Sequence, residues 1–170
     1  IAPSLVGSEM CIRDRLNTSP MLRGKLTHVN GVPSRNFTPA PEAEWVLRGD
    51  RGLTYAAGKP EGVVLTEGEW WPSDYFGPPL VSIDYEIARG LGLEIGDTVT
   101  MNVLGRPFTA EIANMRKVDW ESMGINFVFL FSPQPLASAP HAHLMTISLD
   151  NVEPDNLRKA FPVFGEAALR

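Results

Sequence analysis

The most regular pattern of apolar and polar positions lies in "EIGDTVTMNVLGRPFTAEIANM". Val99, Met101 and Val103 alternate with Thr98, Thr100 and Asn102, and Phe108, Ala110 and Ile112 alternate on the return after Leu104 to Pro107 turn. Successive strand side chains point to opposite sides, so this period of two predicts a β-hairpin with all six apolar residues on one face. Shorter stretches repeat the signal. "MLRGKLTHVNGVP" predicts a strand closed by the turn residues Asn30-Gly31. "GVVLTEG" predicts another, "NFVFLFSP" a short buried one, and "HLMTISLD" one more. "EWVLRGDRGLTYA" predicts a hairpin, with Trp45 and Leu47 on the way out, Gly49 to Gly52 as the turn, and Leu53 and Tyr55 on the way back.

Two segments change period. In "LVSIDYEIARGLGL", Ile83, Ile87 and Leu91 recur at the spacing of a helical face. Asp84 suits the cap, Glu86 the first turn, Arg89 the last turn and Gly92 the stop. "EPDNLRKAF" predicts a short helix with Leu157 and Phe161 on one side. Strands outnumber helices and do not alternate regularly with them. The pattern therefore predicts an α+β fold with mostly antiparallel pairing. "PSRNFTPAPEAE" and "EWWPSDYFGPP" read as loops, and the 15 prolines fall between apolar segments, as loop punctuation does.

The opening stretch "SLVGSEMCIRDR" fits none of this. A secretory signal needs an unbroken apolar run, and Ser8, Glu9, Arg13, Asp14 and Arg15 interrupt every one here. Back-translated, Leu5 to Arg15 resembles a sequencing-library adapter ending in a transposase mosaic end, in frame throughout. Residues 1–15 are accordingly expected to be a disordered, non-native scar, joined to a metagenomic piece of a gene. Cys11, the sole cysteine, then carries no functional information.

Composition narrows the function classes. Arg13 and Arg15 balance Glu9 and Asp14, so the net charge of −5 is unchanged without the scar. Mild acidity argues against nucleic-acid binding, which usually shows a basic face. With Cys11 set aside, disulfides and thiolate metal sites are excluded. The longest strongly apolar run, "INFVFLF", is far short of the roughly 18 residues of a membrane span. About 155 residues remain, enough for one domain with a sizeable core.

Candidate chemistry is sparse. "GLGLEIG" has its glycines after a helix and before a strand, so Gly90, Gly92 and Gly96 read as stop and turn residues, not a dinucleotide loop. His141 and His143 in "HAH" share one side of an extended segment, but the only other histidine, His28, is not placed to complete a metal site. Ser82 and Asp84 lack a nucleophile elbow and read as the opening of a helix. Glu67 and Glu69, beside Trp70 and Trp71, resemble a carbohydrate-site mixture, although paired carboxylates need a defined separation across a cleft. The aromatic group Trp70, Trp71, Tyr75 and Phe76 is the most unusual feature. In a proline- and glycine-rich loop it is expected to form a contact surface, with at least one of Trp71, Tyr75 and Phe76 well exposed.

The stretch from "LTEGEWWPSDYFGPP" to "INFVFLFSP" resembles the extracytoplasmic domain of FtsX-like ABC transporter permeases, and is most similar to the large YbbP-like members. The general pattern is carried by Gly68 to Trp70, Ala88 to Asp97 and Val99 to Ile112; "LRGDRGLTYA", "GEWWP" and "VDWESMGINFVFLFSP" sharpen it to the subgroup. The resemblance implies a β-rich lobe with a hairpin plus a smaller α+β lobe. It implies a single periplasmic domain over residues 16–170, truncated at both ends and held at the bacterial inner membrane by spans outside this sequence. It further implies a non-enzymatic role with no cofactor, coupling membrane-helix motion to a periplasmic partner or hydrophobic cargo. The ATPase would be a separate subunit, consistent with the lack of a P-loop motif here. The rival expectation is a soluble hydrolase using Glu67 or Glu69 in an aromatic cleft.

Overall fold

The computed structural model describes residues 16–121 and 125–147. Two compact units divide the chain: Thr18–Leu144, and a second that comprises Ile1–Asn17 with Met145–Arg170. The first unit contains β1 (Leu16–Val29) from Thr18 on, β2 (Val32–Pro33), β3 (Arg51–Tyr55), β4 (Val64–Gly68), β5 (Leu80–Asp84), β6 (Thr98–Val103), β7 (Arg106–Lys117), β8 (Phe129–Phe131) and the part of β9 (Ala142–Ile147) up to Leu144. Two short helices, α1 (Glu44–Leu47) and α2 (Tyr85–Gly90), and two 3-10 turns complete it.

Six of the strands close on themselves. β1 pairs with β3, β3 with β8, β8 with β5, β5 with β7, β7 with β6, and β6 returns to β1. The β3–β8 and β5–β7 pairs are parallel and the other four antiparallel. Closure leaves no free edge among these six. β4 adds to the later half of β7, and β2 folds back on the end of β1. This corrects the α+β expectation: the fold is a closed six-stranded β-barrel with extra strands, and no α+β lobe stands beside it among the described residues.

The sequence explains the closure locally. In β1, Leu22, Gly24 and Leu26 face the interior while Arg23 and Lys25 face solvent. A bulge between Leu26 and His28 then resets the alternation, so that Val29 is buried as well. Gly24 sits where the barrel interior leaves no room for a side chain: a Cβ there would lie 2.7 Å from both Leu53 and Val103 side chains. The β6–β7 hairpin keeps its predicted apolar face, with Val99, Met101, Val103, Ala110 and Ile112 buried and Phe108 packed edge-on against Phe131, but its turn is only Leu104-Gly105, because Arg106 and Pro107 pair with Val103 and Asn102. With Leu26, Leu53, Ile83, Met115 and Phe129 these residues form the core.

Two local expectations change. The segment expected to run as an outgoing strand at Trp45 is a one-turn helix following a 3-10 turn at Pro41–Ala43. Ala43 and Val46 are buried and Leu47 packs on the core, the spacing of a helix, whereas Trp45 is exposed. The helix expected across Ile83 starts only at Tyr85, because Leu80–Asp84 is a strand inside the barrel wall. Its cap and stop stand as expected. Asp84 Oδ1 accepts from Ile87 N at 3.0 Å. Gly92, at φ 62°, closes the helix: its N–H reaches Arg89 O at 3.0 Å and Leu93 N–H reaches Ala88 O at 2.9 Å. The expected helix at 153–161 and the end of "HLMTISLD" lie outside the described residues.

Candidate contact surface

The aromatic loop runs from the end of β4 to the start of β5 and is tied down along its length. At its start, Asn114 Nδ2 on β7 donates to Glu69 O at 3.0 Å. Trp71 is buried, its Nε1 donates to Ala56 O at 3.0 Å, and its ring lies 4.4 Å from that of the half-buried Trp70. In the middle, Tyr75 N donates to Pro72 O at 3.0 Å, closing a turn. The Tyr75 hydroxyl donates to Pro78 O at 2.8 Å, and Gln134 Nε2 donates to Tyr75 O. At the far end, Leu80 N donates to Ser132 Oγ at 3.0 Å.

The four aromatics therefore separate in role. Trp71 is core, Trp70 and Tyr75 are half-buried against the loop's own frame, and Phe76 is 93% exposed. An aromatic ring of that exposure on an anchored loop offers a large contact area with little ordering left to lose on binding. One feature of the segment escaped the sequence reading. Between Lys59 and Arg89 there is no lysine or arginine, while Glu61, Glu67, Glu69, Asp74, Asp84 and Glu86 are all present. All of these carboxylates except Asp84 are exposed.

The other candidates resolve into structure. Glu67 and Glu69 are both exposed on one strand end, not set opposite each other across a cleft. Asp84 is the helix cap, and buried Ser82 accepts from Arg116 Nη1 at 3.3 Å. His28 is half-buried on β1 beside Thr27 Oγ1. His141 is half-buried and His143 exposed, with ring centres 5.1 Å apart. No group of three or more His, Cys, Asp or Glu side chains among the described residues could hold a metal.

Arg116 was not anticipated. It is buried in β7, and its guanidinium donates to Ser82 O at 2.7 Å, to Phe127 O, and to Val128 O at 3.4 Å. It thereby joins the segment entering β8 to the wall formed by β5 and β7. Burial pushes the guanidinium down to about 10, opposed by Asp84, whose charge raises it. It stays charged at neutral pH.

The fold and loop together define a small closed β-barrel carrying an anchored, acidic loop with one projecting aromatic side chain. No family model matches the sequence. The chain is similar to the uncharacterized ABC transporter permease YbbP of Escherichia coli (strain K12), 32% identical over 132 residues, which are 78% of this chain and 15% of that protein. This similarity supports an ABC-permease-like relationship, and the chain spans about 15% of the length of the curated relative it matches. No helix among the described residues is long and apolar enough to cross a membrane.

Proposed function

We propose that the chain is a non-catalytic extracytoplasmic domain of an FtsX-like ABC transporter permease. In this reading residues 16–170 belong to one periplasmic domain at the bacterial inner membrane, and residues 1–15 are foreign to it. The domain couples movement of membrane helices to a periplasmic partner or hydrophobic cargo, with energy from a separate ATPase. The similarity to YbbP over 132 residues carries the proposal. The anchored loop supports it, since a rigid projecting Phe76 suits contact better than chemistry. The hydrolase alternative gains nothing, because Glu67 and Glu69 do not face each other across a cleft.

The test uses the complete gene from the same source. It should encode apolar runs of about 20 residues flanking this domain. A periplasmic reporter fused in the domain should be active. In the complete permease, Phe76→Ala should reduce transport while membrane abundance is unchanged. A complete gene without such runs, or a reporter active only in the cytoplasm, would overturn the placement; full transport by Phe76→Ala would remove the contact role.

A further inference from the structure

The fold brings together three side chains that the sequence keeps apart. Tyr55 ends β3, while His141 and His143 lie at the start of β9, and Tyr55 Oη is 3.4 Å from His141 Nε2. The sequence alone leaves the histidine pair without a third ligand; the barrel brings a hydroxyl beside His141.

We propose that Tyr55, His141 and His143 form an open site for a zinc ion. The first argument is ring spacing. Two imidazoles sharing a tetrahedral zinc through one nitrogen each, with bonds of about 2.0–2.1 Å, have ring centres roughly 5.2 Å apart. The His141 and His143 centres are 5.1 Å apart, with the rings inclined at 61°. The second is the tyrosine. Ligand atoms on a tetrahedral ion with bonds of about 2.1 Å are separated by roughly 3.4 Å. The Tyr55 Oη to His141 Nε2 distance, 3.4 Å, matches this and is long for a strong hydrogen bond.

The third argument is the tautomer. His141 Nδ1 lies 2.8 Å from Ala139 O, a group that can only accept. Nδ1 therefore carries the proton, which leaves Nε2, the nitrogen beside Tyr55 Oη, as the unprotonated one. A carbonyl holding the far nitrogen of a histidine is the usual way such a ligand is oriented and made more basic. His143 is exposed, so water can complete the coordination. Nitrogen ligands in a tetrahedral arrangement favour zinc over calcium or magnesium, which take oxygen donors in larger shells. Bound zinc would fasten the start of β9 to the end of β3.

The experiment titrates zinc into the untagged, chelator-treated 170-residue protein against a chromogenic chelator, with cobalt as a spectroscopic substitute. One equivalent should bind and raise the melting temperature, and cobalt should give the intense visible bands of four-coordination. Affinity should fall on acidification, because the ligands must shed protons. His141→Ala and His143→Ala should each weaken binding by about 10–100-fold or more, and Tyr55→Phe by about tenfold, if first contacts matter at least as much as the supporting ones. His28→Ala should change nothing. Circular dichroism on the exposed His143→Ala variant separates ligand loss from misfolding. Absence of one saturable equivalent, unchanged affinity in either histidine variant, or unchanged affinity in Tyr55→Phe overturns the proposal. The outcome is independent of the permease reading.

Discussion

Replacing Arg116 by methionine should destabilise the protein by about 2–4 kcal/mol, the net of two opposed effects. On one side, the guanidinium holds the carbonyls of Phe127, Ser82 and Val128. Val128 O keeps another donor, Asp84 N at 3.1 Å. Phe127 O has no such replacement among the hydrogen bonds described above, and a buried unsatisfied acceptor costs about 1–3 kcal/mol. Loss of a charged donor from Ser82 O adds about 1.5 kcal/mol or more. Buried Asp84 also loses the positive charge of the guanidinium, with which it interacts. Together these resemble the roughly 3–5 kcal/mol seen when one member of a buried charged arrangement is removed.

Against this, methionine no longer needs the desolvation that burial imposes on the guanidinium, and its side chain still fills much of the space. That offset brings the expected cost down to the range given. Arg116→Lys should recover part of it, because a lysine keeps the charge but cannot reach both sides with a planar fork. Urea titration of the chain at neutral pH measures both. The pH dependence also has a defined sign. The folded value, about 10, lies below that of an unfolded arginine, so this group's contribution becomes more favourable only as pH rises from about 10 upward. It adds no slope between pH 6 and 9. A methionine variant as stable as the wild type, or more so, would show that desolvation outweighs the carbonyl bonds and refute the reasoning.

Three further outcomes follow from packing and backbone. Gly24→Ala should cost about 1–3 kcal/mol by urea titration, since the new methyl must displace the Leu53 and Val103 side chains in the barrel interior. Leu104 is exposed and sits at φ 51° in the β6–β7 turn, so Leu104→Asn should stabilise by about 0.5–1 kcal/mol, read as a higher melting temperature. Trp71→Ala should cost about 3–5 kcal/mol while Phe76→Ala stays within about 0.5 kcal/mol, a contrast that thermal unfolding of the two variants checks.

What could be read from the sequence was what local residues determine. The β6–β7 hairpin announced itself because one face is buried and the other wet, which leaves a clean alternation. The Asn30-Gly31 turn, the Asp84 cap and the Gly92 stop each depend on neighbours within a few residues. β5 was hidden for the opposite reason. Val81, Ser82, Ile83 and Asp84 are all buried, so the strand has no alternation, and Ile83 falls four residues before Ile87 by coincidence. At α1 the misleading pair was Trp45 and Leu47, while the informative spacing joined Ala43, Val46 and Leu47.

Barrel closure was beyond reach because its deciding pairs, β3 with β8 and β5 with β7, are parallel and far apart along the chain. The same holds for the aromatic loop and for Arg116. Nothing near Trp71 in sequence shows that Ala56 O receives its indole N–H, and nothing in "ANMRKV" separates Arg116 from a solvated arginine. The aromatic cluster was visible as a group but not as a division of labour.

That division has a physical consequence for how the loop could act. A loop that must fold around a partner loses affinity to the ordering of its own residues. Here Trp71 and Tyr75 hold the frame through Ala56, Pro72 and Pro78, so the ordering is complete before any contact forms. Phe76 is then free to serve as an apolar anchor whose removal costs the isolated fold almost nothing. The exposed carboxylates Glu67, Glu69 and Asp74 in and beside the same loop add a sign to the surface. They would repel an anionic membrane face and favour a partner whose apolar pocket carries basic residues around it.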